Sequence, residues 1–202
     1  MKIVIYGASG RAGSAIATEA VRRGHDVVAV SRRGTAVEGA TSRSAEFGDT
    51  DKVLANLGGA DVLVVSIPPD RTGGSREAIV EAHRALIDAE PSLPVFVVGG
   101  AGALEIDGVA LMDRPDFADR LKPEAGAMRS VLDAYRQSSG VTWTMLAPAP
   151  SFVVGAPSDY VLGADAPVGD HVTFATFAVA ALDELESPTH RGLRYTVADT
   201  AK

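Results

Sequence analysis

Short runs of consecutive apolar residues alternate along this chain with longer stretches of helical character. Asp26–Val30, Val62–Val65 and Val95–Val98 are continuous and β-branched, the pattern of strands covered on both faces. Ile3–Tyr6 is a similar short run closed by Gly7, Thr142–Leu146 and Leu193–Val197 follow late in the chain, and Ser44–Phe47 is a weaker strand candidate. Between them Ser14–Arg23, Thr50–Asn56, Ser75–Ala89, Glu124–Gln137 and Thr173–Glu186 have helical composition, and Gly24 suits a left-handed cap after the first. Strand and helix in alternation predict an α/β fold, a doubly wound and mostly parallel sheet with right-handed crossovers. Past Pro148 the rhythm loosens. Ala147–Gly169 carries Pro148, Pro150, Pro157 and Pro167, which predicts a long, partly irregular loop of the kind that carries function.

Length and composition narrow the partners. The chain has 202 residues, no internal repeat and no low-complexity tract, so one domain over 1–202 is expected. A net charge of −7 repels nucleic acid and anionic membranes, and neither is expected as a partner. The absence of cysteine excludes disulfides, thiolate catalysis and Cys-ligated metals. The four histidines show no metal-binding spacing, so no metal is expected. The apolar run in MKIVIYGASG is too short for a signal peptide, and no run approaches the roughly 20 residues of a membrane span. A cytoplasmic protein, monomeric or homodimeric, is the expectation.

The strongest motif is Gly7-Ala8-Ser9-Gly10-Arg11-Ala12-Gly13, directly after the first strand and opening the first helix. Gly7 suits a tight turn, Gly10 lets backbone approach a pyrophosphate, and Gly13 permits close helix–strand packing. The helix start offers free N–H groups to the phosphates, with Ser9, Arg11 and Ala12 between the glycines. A dinucleotide cofactor is therefore expected.

The end of the second strand reads Val30-Ser31-Arg32-Arg33-Gly34. Where an NAD site carries Asp or Glu for the ribose hydroxyl, Ser31 is followed by two guanidinium groups. Arg32 and Arg33 suit a 2′-phosphate, so NADP(H) is preferred over NAD(H). Asp49, in FGDTD, suits the cap of the next helix; in the short-chain dehydrogenase/reductases, which the GxxGxxG spacing resembles, the matching position receives the adenine amino group.

The spacing GxxGxxG, together with VVGGAGALEIDG, DRPDFADRLKPEA, WTMLAPAPSFVVGAPSDYVLG and FATFAVAALDELESPTHRGLRYTV, resembles the atypical short-chain dehydrogenase/reductases. Within them it is similar to the NAD(P)H-binding, NmrA-like family of candidate NADH-flavin reductases, over nearly the whole chain. The resemblance implies a Rossmann fold, with Gly7, Gly10 and Gly13 as the pyrophosphate loop and Arg32 as the 2′-phosphate clamp. It implies that Ser66, Ile67 and Pro68 pass the adenosine and central ribose. It also implies that Gly99, Gly100, Ala101, Gly102 and Pro148 lie beside the nicotinamide. One departure is Ala103, where relatives commonly carry serine.

Typical short-chain reductases use Tyr and Lys four residues apart. Here Tyr6, Tyr135, Tyr160 and Tyr195 are followed four positions on by Gly10, Ser139, Ala164 and Asp199, and no Ser or Thr lies between Val95 and Asp107. Catalytic residues are therefore not identified. Ketone reduction needs an acid for the developing alkoxide, whereas a flavin or quinone takes hydride into a delocalised ring. A small planar acceptor, FMN or FAD among the possibilities, is one expectation; a non-catalytic NADP(H)-binding regulator is the other. The acceptor side is expected in 103–122 and 147–172. Phe117 and Phe152 are candidates to stack on the acceptor or to anchor loops, and Lys122 to reach the cofactor ribose or to stand solvated.

Overall fold

Consecutive apolar residues in β1 (Lys2–Tyr6) leave neither face for water, and the computed structural model, which describes residues 1–200, buries both. The chain continues through α1 (Arg11–Arg22), β2 (Asp26–Ser31), β3 (Thr41–Ser44), α2 (Thr50–Asn56), β4 (Val62–Val65), α3 (Glu77–Asp88) and β5 (Val95–Val98). A small hairpin, β6 (Glu105–Ile106) and β7 (Val109–Ala110), precedes α4 (Lys122–Gln137) and β8 (Trp143–Pro148). Then come β9 (Ser151–Val153), β10 (Tyr160–Gly163), β11 (His171–Thr173), α5 (Phe174–Glu186) and β12 (Arg194–Asp199).

Eight strands form one sheet in the order β10-β12-β8-β5-β4-β1-β2-β3. All pairings are parallel except β10 on β12. Successive strands step outward from β1 in one direction and from β4 in the other. That reversal opens a crevice beyond the carboxyl ends of β1 and β4, where open α/β sheets bind ligands. Two apolar layers hold the sheet. One packs Val4, Tyr6, Val65 and Val97 against Val53 of α2, Leu86 of α3 and Val131 of α4. The other packs Ile3, Ile5, Val64 and Phe96 against Ile16 of α1 and Phe177 of α5. This is the doubly wound Rossmann-type architecture expected.

Two expectations need correction. The third strand is Thr41–Ser44, not Ser44–Phe47. Ala45 and Phe47 are buried just after it, and Phe47 packs on Tyr6 at 5.7 Å and on His83 at 5.0 Å. Their apolarity serves the core beneath the loop, while the edge strand itself is polar and carries no periodic signal. The segment 147–169 is also less irregular than its prolines suggest. It holds β9, paired with β11, and β10, an edge strand on β12. Trp143 of β8 is part of the core.

Candidate functional site

Every segment singled out for cofactor contact leaves the carboxyl end of a parallel strand. Gly7 follows β1, adopts φ +85°, and donates its N–H to the Val30 carbonyl at 3.0 Å. A Cβ there would lie 2.1 Å from the Ser66 carbonyl oxygen, so only glycine lets the turn pass over the β4 end. A Cβ at Gly13 would lie 2.2 Å from the Gly7 carbonyl oxygen. Gly10 differs: it is exposed, has an extended backbone at φ −79° and ψ 165°, and a Cβ there would meet only the Gly7 oxygen at 3.3 Å. The fold's packing leaves that face of Gly10 open. Just past it, the first N–H groups of α1 precede any intrahelical acceptor. The loop thus fits a pyrophosphate: a tight turn, an open backbone face and a helix start aimed at one place.

At the end of β2, Ser31 is buried and its hydroxyl accepts from the Thr35 N–H at 2.9 Å. Arg32 and Arg33 are exposed, while the Arg32 carbonyl is held by the Ser44 hydroxyl at 2.8 Å. Backbone position is therefore fixed while both guanidinium groups stand in solvent, as does Arg11. Asp49 realises the capping reading. Its Oδ1 accepts from the Lys52 N–H at 3.2 Å and its Oδ2 pairs with Lys52 Nζ at 2.6 Å, contacts that lower its pKa.

Ser66 is buried at the β4 end, with its N–H on the Tyr6 carbonyl at 2.9 Å; Ile67 is half-buried and Pro68 exposed. The loop then turns on Asp70, whose Oδ1 accepts from Thr72 N at 2.8 Å and Gly74 N at 2.6 Å. Arg71 leaves this turn to pair with Glu124 on the first turn of α4, Nε to Oε2 at 2.8 Å. This strap was not foreseen, because no local pattern links residues on separate loops.

After β5, Gly99 donates to the Leu146 carbonyl at 2.8 Å, and a Cβ on it would meet Met145 Cγ at 3.0 Å. Ala101–Ala103 makes one turn of 3-10 helix. A Cβ at Gly102 would fall 2.5 Å from Ala125 Cβ of α4 and 3.4 Å from Phe117 Cζ. The lack of a side chain at Gly102 is thus a packing requirement between the turn and α4. Beyond β8, Pro148 is buried. Phe152 is half-buried and packs its ring on Phe174 at 4.1 Å and Phe177 at 4.9 Å, contacts of the loop-anchor reading. Lys122 is exposed and pairs with Asp119 at 2.7 Å, the solvated reading.

A family model described as NAD(P)H-binding matches residues 7–188, spanning this loop and all of the sheet but β1 and β12. The chain belongs to the NAD(P)H-binding family. YwnB, an uncharacterized protein of Bacillus subtilis, is 35% identical over 219 residues, with 100% of both chains covered. A candidate NADH-flavin reductase from Streptococcus pneumoniae superimposes with a TM-score of 0.85 at 28% identity, covering 99% of this chain and 100% of that one. A candidate epimerase from Bacteroides thetaiotaomicron gives 0.88 at 29% identity, covering 100% and 98%. These place this NAD(P)H-binding protein among the atypical, NmrA-like short-chain reductases.

Within that family setting, the four tyrosines are all committed to packing. Tyr6 Oη accepts from Asn56 Nδ2 at 2.8 Å, Tyr135 Oη lies 3.0 Å from His83 Nδ1, and Tyr160 Oη donates to Asp183 at 2.6 Å. Tyr195 stacks on His190 at 4.0 Å. Burial raises the pKa of every one, Tyr160 to about 12, opposite to what proton donation requires.

Proposed function

We propose that this NAD(P)H-binding protein is an NADPH-dependent reductase that passes hydride to a flavin or quinone-like acceptor. The observation that carries the reading is a nucleotide loop with an open backbone face at Gly10, beside an edge where no tyrosine is available as an acid. A ring acceptor needs no such acid: it takes hydride into a delocalised system and a proton from water, so NADPH, H⁺ and a quinone give NADP⁺ and the hydroquinone. The S. pneumoniae relative, a candidate NADH-flavin reductase, supports the same class.

When bound, the dinucleotide would supply the hydride from its nicotinamide ring. The chain's own part is placement. Gly7–Gly13 would hold the pyrophosphate, and Arg32, with Arg33 beside it, the 2′-phosphate. Ser66–Pro68, Gly99–Ala101 and Pro148 would flank the ribose and nicotinamide. Phe117, half-buried against Gly102, stands at the edge of the acceptor side.

The test follows NADPH absorbance with FMN, FAD, riboflavin and small quinones. Turnover on any of them supports the reductase. Cofactor binding with no turnover on all of them would replace it with a non-catalytic NADP(H)-binding regulator.

A further inference from the structure

We infer that the Arg71–Glu124 ion pair is a latch over the dinucleotide crevice, and that the cofactor enters and leaves only while this pair is open. The inference rests on the cofactor placement in the reading above and does not depend on the acceptor.

A closed ring of contacts surrounds the carboxyl edge between β4 and β5. Its base is the two paired strands, with Val65 beside Val97. One side is the loop after β4, whose root lies against the pyrophosphate turn. A Cβ at Gly7 would fall 2.1 Å from the Ser66 carbonyl oxygen and 3.0 Å from Ile67 Cγ1. The other side is the turn after β5, backed by α4. A Cβ at Gly100 would fall 3.6 Å from Met128 Cβ, and one at Gly102 would fall 2.5 Å from Ala125 Cβ. Glu124 directly precedes Ala125. Arg71 closes the ring by donating to Glu124 through both arms of its guanidinium, Nε to Oε2 at 2.8 Å and Nη2 to Oε1.

Main chain or packed side chains make every link of this ring but one. Among the described residues, Arg71–Glu124 is the only side-chain hydrogen bond or ion pair that joins residues 67–75 to residues 99–128. The Arg71 side chain is 65% exposed and that of Glu124 26%, so water competes for the pair and it opens readily. Asp70 holds the loop tip through the Thr72 and Gly74 N–H groups, which returns Arg71 to the same place. Ser66–Pro68 and Gly99–Ala101, the flanks assigned to ribose and nicotinamide, are the roots of the two sides. A dinucleotide lying between them passes inside the ring.

The latch needs nothing from the cofactor. It closes the free and the loaded protein alike, so it slows entry and exit together and leaves affinity unchanged. A bidentate pair of this exposure favours the closed state by roughly fivefold.

Stopped-flow fluorescence of NADPH reads both rates, by mixing for entry and by displacement with excess NADP⁺ for exit. Glu124→Gln and Arg71→Gln should each raise kon and koff by about fivefold and keep Kd within about twofold. The double variant should go no further than either single one, because all three lose the same bond. Unchanged rates in both single variants would overturn the inference, and so would a double variant that adds the two effects. A higher Kd with kon unchanged would overturn it too, by making Arg71 or Glu124 a contact of the bound cofactor. None of these outcomes touches hydride transfer, since no acceptor is present. NADPH that fails to bind the unaltered protein defeats the cofactor placement, and the latch with it.

Discussion

The guanidinium of Arg194, on β12, donates from Nη1 to the main-chain carbonyl oxygen of Ala103 at 2.6 Å, and its side chain is 1% exposed. Its Nε donates to Asp165 at 2.8 Å, and Asp165 also accepts from Arg136 at 3.1 Å. One buried cation thus ties the turn after β5 to the last strand and to the loop after β10. Arg194→Met should cost about 2 kcal/mol, since the Ala103 carbonyl loses its donor and the pair to the half-exposed Asp165 is lost. Arg194→Lys should recover only part, because an ammonium cannot span both partners. Urea unfolding of the three proteins checks both.

The glycines of the first loop should separate by role. Gly7→Ala and Gly13→Ala each drive a Cβ into backbone, at 2.1 Å and 2.2 Å, and should destabilise the fold by about 2 kcal/mol or more. Gly10→Ala has an ordinary φ and a nearly free face, so its thermal midpoint should stay within a few degrees. Its NADPH affinity should nevertheless fall about tenfold or more, because the methyl stands where the pyrophosphate approaches. Equal affinity in the Gly10 variant would place the pyrophosphate elsewhere.

Arg32→Ala tests the ribose end. Loss of a charge-assisted pair to the 2′-phosphate should weaken NADPH by about tenfold or more and leave NADH nearly unchanged. Titration of both cofactors into both proteins gives the ratio. Parallel losses for NADPH and NADH would remove Arg32 from the clamp.

His83 predicts an acid-sensitive fold. Its ring is buried between Phe47 and Tyr135, Nε2 has no partner, and burial lowers its pKa from 6.5 to about 3. Below pH 6.5 the unfolded chain takes up a proton that the native ring refuses down to about pH 3. Stability is therefore full above that range and falls with pH through it, by up to about 1.4 kcal/mol per unit for this one group. The upper part of the window lies above the titration of Glu19 and Glu184, whose pKa values are held below 4.5. His83→Gln, which keeps a partner for Tyr135, should flatten the decline between about pH 6.5 and 5 in urea unfolding. An unaltered slope would assign it to other groups.

The placement of Val97–Leu104 shows where sequence reasoning stopped. VVGGAGAL follows β5 at the ligand-binding edge, which the strand rhythm alone located. The family resemblance sets Gly99, Gly100, Ala101 and Gly102 beside the nicotinamide. Yet Gly102 is small because Ala125 of α4 lies against it, and Ala103 is held by an arginine 91 residues away. Neither contact leaves a local trace. The same holds for the Arg71–Glu124 strap. Phe152 had two readings that only the nearness of Phe174 and Phe177 could separate.

What the sequence determined by itself was whatever depends on neighbours along the chain. The β-branched runs made buried parallel strands, Gly7 and Gly13 made the turn into α1, and Ser31-Arg32-Arg33 put cations at the end of β2. Periodicity and backbone conformation act over a few residues and are legible there. Tertiary structure alone decided which side chains are spent on packing and which remain free at the sheet edge. It made Asp49 a helix cap paired with Lys52, buried all or most of each tyrosine, paired Lys122 and Arg71 with carboxylates, and left Arg11, Arg32 and Arg33 in solvent. Such choices rest on distances between segments far apart in the chain, set only when the strands are laid side by side.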